Sequence, residues 1–131
     1  MDTKLKILLI EDDADDIELL EEALRSNQVL YEIKTILQGD KVMPYLENES
    51  VIPDVILLDF NLPKVHGKEI LKSIKASEKF RHAPVIVLTT SAMKEDKEYA
   101  LHEGAVDFIT KPTTISDFTE TVRRILLAAG R

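Results

Sequence analysis

The chain has 131 residues and 44% hydrophobic content, enough apolar side chain for one core and too little length for a second domain, so residues 1–131 are expected to form a single unit. A formal net charge of −7 argues against nucleic acid or anionic membrane as partners, which are gripped by clustered Lys and Arg. The absence of cysteine removes disulfide and thiol chemistry, and with no membrane-length apolar run and no signal-peptide cleavage site after Met1 a cytoplasmic location is expected.

Strand-like and helix-like segments alternate from the start. Leu5 to Ile10 is an apolar strand, and Ile17, Leu20, Ala23 and Leu24 then recur at helical spacing among Glu18, Glu21, Glu22 and Arg25. Tyr31 to Ile36 alternates apolar and charged residues as an edge strand does, and Gly39-Asp40 opens a short helix in which Pro44 must lie early. Val55 to Leu58 is uniformly apolar, the pattern of a parallel strand covered on both faces. Ile70, Leu71 and Ile74 mark a third helix, and Val85 to Leu88 after Pro84 repeats the strand pattern.

The fourth helix, Lys94 to His102 before Gly104, is mostly polar and is expected to be loosely anchored. Phe108-Ile109-Thr110 is the fifth strand. In the last helix Thr114 with Asp117 resembles a capping box, Ile115, Phe118, Val122, Ile125 and Leu126 form the apolar stripe, and Gly130 is the stop. Five βα repeats predict an α/β fold, a three-layer αβα sandwich with no linker or output domain, and ligands of such sheets bind at the carboxyl ends of the strands.

The strand ends carry complementary chemistry. Glu11-Asp12-Asp13 follows the first strand, and Asp59 closes the third before the turn Phe60-Asn61-Leu62-Pro63. Thr89 closes the fourth, and Lys111-Pro112 follows the fifth. The acidic run also reads as the start of a helix, with Asp13, Asp15 and Asp16 serving as cap and as complements to the helix dipole, which is the role expected for Asp15 and Asp16. Asp59 on a neighbouring strand would bring a third carboxylate to Glu11 and Asp12, and such crowding calls for a compensating charge. Hard oxygen donors suit Mg²⁺, which takes one or two carboxylates, keeps several waters and completes its shell with substrate phosphate. Lys111 offers a second compensating charge as a point-charge phosphate binder, held by a pre-proline backbone whose X-Pro bond admits the cis form. Thr89 offers a hydroxyl, although Thr is also an ordinary strand residue and Thr90-Ser91 an ordinary loop or helix cap.

Taken together, Glu11-Asp12, Asp59-Phe60-Asn61-Leu62-Pro63, Gly67, Thr89 and Lys111-Pro112 resemble the receiver domain of two-component response regulators over nearly the whole chain. Thirty positions separate Asp59 from Thr89 and twenty-two separate Thr89 from Lys111. The resemblance implies a flavodoxin-like (βα)5 sheet of order 2-1-3-4-5. It also implies Asp59 as phosphoacceptor, Lys111 and Thr89 as phosphoryl-binding groups, Asp12 as direct magnesium ligand, Glu11 as a ligand through water, and Asn61 as ligand through its backbone carbonyl. The expected activity is acceptance of a phosphoryl group from a sensor histidine kinase or phosphotransfer protein, with slow self-dephosphorylation tuned by Asn61 and Ser91 and without turnover as an enzyme. Thr89 and Phe108 are the implied switch residues, acting on the face made by the fourth helix, fifth strand and fifth helix, a face suited to homodimerisation. Phe108 stands where many such domains have Tyr, so it also reads as plain core.

The Leu88-Thr89-Thr90-Ser91 stretch and the Ala14-Asp15-Asp16 helix start resemble the regulators of bacteriophytochrome kinases. Two other classes are set beside this reading. One is a phosphohydrolase of the haloacid dehalogenase type, which needs Asp where this chain has Asn61, and the other is a phosphate-independent docking module. His66, His82 and His102, and the pair Arg123-Arg124, are expected to face solvent.

Overall fold

The structure is a computed structural model, and it describes residues 4–62 and 65–131. Pro63, part of the turn motif after Asp59, lies outside the described residues, as does the start of the chain through Thr3. The strands are β1 (Leu5–Ile10), β2 (Tyr31–Ile36), β3 (Val55–Leu58), β4 (Val85–Thr89) and β5 (Asp107–Thr110). The helices are α1 (Ala14–Ser26), α2 (Val42–Asn48), α3 (Gly67–Ala76), α4 (Lys94–His102) and α5 (Ile115–Ala128). A 3-10 turn over Gly39–Lys41 leads into α2, so Pro44 sits in the first turn of that helix, where its missing N–H breaks no ladder.

All strand pairings are parallel, and the order is β2-β1-β3-β4-β5. Parallel strands need crossover helices, and these cover both faces of the sheet. Because side chains alternate along a strand, each strand feeds two cores. Leu8, Ile10, Ile56, Leu58, Val85 and Val87 pack with Val42, Leu46, Ile70, Leu71, Ile74 and Ala100 of α2, α3 and α4. Ile7, Leu9, Val55, Leu57, Ile86 and Leu88 pack with Leu20, Leu24, Phe118, Val122 and Ile125 of α1 and α5. The uniform burial of Val55–Leu58 is the physical content of its uninterrupted apolar run.

The helix ends follow the local chemistry. Thr114 caps α5 by accepting the Asp117 N–H at 3.2 Å, and Gly130 takes a φ of +80° just beyond that helix. Only Ala100 of α4 is fully buried, in keeping with its polar sequence. The Lys111-Pro112 bond is trans, as are all peptide bonds among the described residues. No described helix is long and apolar enough to cross a membrane.

Candidate functional site

Backbone hydrogen bonds continue the sheet ladder one residue beyond the strands and set the site residues at one height. The Glu11 N–H donates to Ile36 O at 3.0 Å, the Asp59 N–H to Ile10 O at 3.0 Å and the Lys111 N–H to Thr89 O at 2.8 Å. Three side chains from β1, β3 and β5 therefore converge at the carboxyl edge although they come from distant parts of the chain. Glu11 and Asp59 are 3% and 4% exposed, and Asp12 beside them is open to solvent.

The Lys111 ammonium is the hub. Its Nζ lies 2.7 Å from Glu11 Oε1, 2.8 Å from Asp16 Oδ2 and 3.0 Å from Asp59 Oδ2. An ammonium has three donor hydrogens, so three carboxylates saturate it. Asp16 lies in the first turn of α1, where an acid complements the helix dipole as its sequence position implies, and its carboxylate also reaches across to Lys111. The N-cap role falls to Asp13, whose Oδ1 accepts the Asp16 N–H at 3.0 Å.

Charge balance favours a cation here. Carboxylate oxygens of Glu11, Asp12 and Asp59 all lie within 4.8 Å of one another. Asp16 adds a further carboxylate, and the cleft they share holds a single ammonium, that of Lys111. Burial lifts the Glu11 carboxyl from its ordinary 4.5 to about 7, with neighbouring Asp59 adding to the effect and Lys111 opposing it. Burial pushes Asp59 upward too, but the Asn61 N–H, the Lys111 ammonium and the nearby Thr89 hydroxyl together outweigh it and hold Asp59 below the usual carboxylate range. Burial disfavours the charged form of Lys111, yet its bonds to Asp16, Glu11 and Asp59 raise its pKa on balance. Asp59 is thus kept ionised, the state a nucleophile requires. An all-oxygen donor set with surplus negative charge fits Mg²⁺.

The trio opens into a cleft of about 470 Å³ lined by Glu11, the run from Asp12 to Asp16 into the start of α1, Asp59, Asn61, Thr90 and Lys111. The Asn61 N–H donates to Asp59 Oδ1 at 3.1 Å, and its Nδ2 lies 3.4 Å from the hydroxyls of both Thr89 and Thr90. Thr89 is fully buried and its Oγ1 accepts the Ser91 N–H at 3.3 Å. The Ser91 hydroxyl turns the other way, donating to Asp96 Oδ2 at 2.6 Å and accepting the Met93 N–H at the start of α4. Asp96 also pairs with Lys68 of α3 at 2.7 Å, and the Lys68 ammonium lies over the Tyr99 ring. This anchoring of α4 by polar contacts was not foreseen from its sequence, since it joins residues on different helices.

Phe108 is 8% exposed and packs edge-on to Phe60, which in turn packs edge-on to Tyr99 of α4, with centroids 6.2 and 6.4 Å apart. His82 and His102 are exposed as expected. His66 is exposed as well, but its Nδ1 caps α3 by accepting the Lys68 N–H at 3.0 Å. Arg123 is exposed beside Glu120, whereas Arg124 departs from expectation: it is half-buried and makes a forked pair with Asp107 of β5, its Nε donating at 2.7 Å.

An open, doubly wound parallel sheet with an acidic, lysine-bridged cleft over its carboxyl edge defines a flavodoxin-like domain. Residues 7–123 match the response regulator receiver domain, and the chain belongs to that family. It is 35% identical to response regulator Rcp1 of Synechocystis sp. (strain ATCC 27184 / PCC 6803 / Kazusa) over 126 residues, which cover 91% of this chain and 84% of that protein. The crystal structure of RcpA, a phosphorylated cyanobacterial phytochrome response regulator, superposes with a TM-score of 0.84 at 36% identity, covering 95% of this chain and 92% of the other. The receiver domain of sensor histidine kinase PA1611 from Pseudomonas aeruginosa PAO1, solved with magnesium coordinated in its active-site cleft, superposes with a TM-score of 0.79 at 29% identity, covering 98% and 100%.

Proposed function

We propose that this receiver domain is a phosphorylation switch in which Asp59 takes a phosphoryl group from a phosphohistidine on a sensor histidine kinase or a phosphotransfer protein. The observation that carries this reading is the environment of Asp59: a buried carboxylate held ionised, in contact with the Lys111 ammonium and within reach of Glu11 and Asp12. An Asp59 oxygen attacks phosphorus in line, the P–N bond to the imidazole breaks with its electron pair leaving on the ring nitrogen, and an acyl phosphate results. No general base is required, because the nucleophile is already an anion. Asp12 and Asp59 directly, Asn61 through its carbonyl and Glu11 through water would hold Mg²⁺, which when bound neutralises charge on the transferring phosphoryl group.

Lys111 exchanges its bond to Asp59 for one to a phosphoryl oxygen, and the Thr89 hydroxyl takes another. That movement of Thr89 loosens its contacts to Asn61 and Ser91, and through Phe108 it alters the α4-β5-α5 face used for partner binding, dimerisation or onward transfer. Asn61 and Ser91 set how readily water reaches the phosphoryl group. The likeness to Rcp1 and to the phytochrome regulator RcpA supports a phytochrome-type kinase as the donor.

Incubation with acetyl phosphate and Mg²⁺ followed by intact mass tests the reading. The expected result is one phosphoryl group on the wild type and none on Asp59→Asn. Continuous consumption of the donor would identify a phosphohydrolase instead, and no reaction at all would identify a docking module.

A further inference from the structure

We propose that Asp16 is a positioning residue for Lys111, holding the ammonium over the cleft when Glu11 and Asp59 are drawn to other partners. The inference rests on the phosphoacceptor reading and assigns a further residue to it.

The Lys111 ammonium is nearly buried and fully paired. Its side chain is 6% exposed, and its three acceptors are Glu11 Oε1, Asp16 Oδ2 and Asp59 Oδ2. Two of them belong to the trio suited to a cation, and Asp59 also bonds phosphorus in the proposed reaction. Both therefore lose charge density toward Lys111 as the reaction proceeds. Asp16 stands outside that trio, so its carboxylate remains wholly available to the ammonium throughout.

Asp16 is well placed to act as a fixed anchor. It sits in the first turn of α1, and its backbone N–H is tied to the Asp13 cap at 3.0 Å. Its carboxylate is therefore carried on a rigid element, while Lys111 reaches it along four flexible methylenes. Without Asp16 a nearly buried ammonium has one donor unmatched, and its stem gains rotamers that carry Nζ away from the phosphoryl position.

The test compares the wild type with Asp16→Asn, Asp16→Glu and Glu18→Gln. Glu18 is exposed on the same helix and carries the same charge, and it touches neither Lys111 nor the cleft. Phosphorylation by acetyl phosphate at saturating Mg²⁺ should slow roughly ten-fold in Asp16→Asn, return most of the way in Asp16→Glu and stay at the wild-type rate in Glu18→Gln. The Lys111 side-chain ammonium resonance provides a second readout independent of the reaction. It should be protected from solvent exchange in the wild type and lose that protection in Asp16→Asn while the backbone spectrum is retained. An unchanged rate in Asp16→Asn, equal slowing in Glu18→Gln, or an unaltered lysine resonance would each overturn the proposal. Should even the wild type take up no phosphoryl group, the phosphoacceptor reading fails and the lysine resonance alone decides the Asp16 pairing.

Discussion

Gly67 is pressed so closely on Phe60 that a Cβ added to it would lie 2.4 Å from the Phe60 Cα and 2.5 Å from the Asp59 carbonyl oxygen. The Gly67 N–H also donates to Phe60 O at 3.1 Å, so the first turn of α3 pins the segment that leaves Asp59. A methyl group here meets backbone rather than a flexible side chain, and relief requires the helix or the loop to move. Gly67→Ala should cost about 1–3 kcal/mol in thermal or denaturant unfolding. It should also slow phosphorylation, because the Asn61 N–H that steadies Asp59 belongs to the displaced loop. A variant that melts like the wild type would show the loop to be compliant.

The Phe108, Phe60 and Tyr99 rings connect β5 to α4 through the core. Removing the Phe108 ring leaves a cavity against Phe60, and Phe108→Ala should lose about 3–5 kcal/mol of stability. A cycle with Phe60→Leu and Phe108→Leu should show a coupling of about 1 kcal/mol, the part specific to the edge-on ring pair. In the switch reading, Phe108→Ala still accepts a phosphoryl group but loses phosphate-dependent association, measured by sedimentation or partner binding. Retention of normal association would remove Phe108 from the switch.

Asp96 makes stability depend on pH. Lys68 and then the Ser91 hydroxyl hold its carboxyl below its ordinary 3.8. A carboxylate whose pKa is depressed by folding stabilises the native state above its unfolded value, and that contribution is lost as pH falls through the folded value. The stability difference between wild type and Asp96→Asn should therefore be flat near neutrality, at about 1 kcal/mol, and shrink in acid below the ordinary carboxylate range. Urea unfolding across a pH series measures it. A difference that grows toward low pH would contradict the sign.

Mg²⁺ should raise the melting temperature, since a ligand that binds only the folded state stabilises it by mass action, by about 2.7 kcal/mol at a hundred-fold excess over Kd. The exposed Asp12 carries this effect without supporting the core, so Asp12→Asn should fold normally and lose the Mg²⁺-dependent shift. An Arg123→Ala control, on the far part of α5, should keep it. Equal shifts in all three proteins would place the ion elsewhere.

Much of this molecule was readable along the chain. Val55–Leu58 announces a buried parallel strand because both its faces are apolar, and Thr114 announces the start of α5 because its hydroxyl is spaced to take the Asp117 N–H. Glu11, Asp12, Asp59 and Lys111 could be gathered because each follows an apolar strand directly, and a parallel sheet brings all such ends to one edge. The second role of Asp16, its bond to Lys111, is not legible along the chain for an equally physical reason. An acid in the first turn of a helix has a sufficient local explanation, and nothing nearby in sequence points to a lysine 95 positions later. The Ser91, Asp96 and Lys68 contacts and the Arg124 pair with Asp107 were hidden in the same way.

The five repeats, the burial of the strands and the acidic character of the carboxyl edge follow from the order of residues, because they depend on periodicity and on chemistry carried by adjacent positions. Which charges meet depends on the packed fold. An ammonium at the end of a flexible stem pairs with whatever carboxylates the packed sheet and helices set within about 3 Å of it, and such a distance arises only once β1, α1, β3 and β5 are assembled.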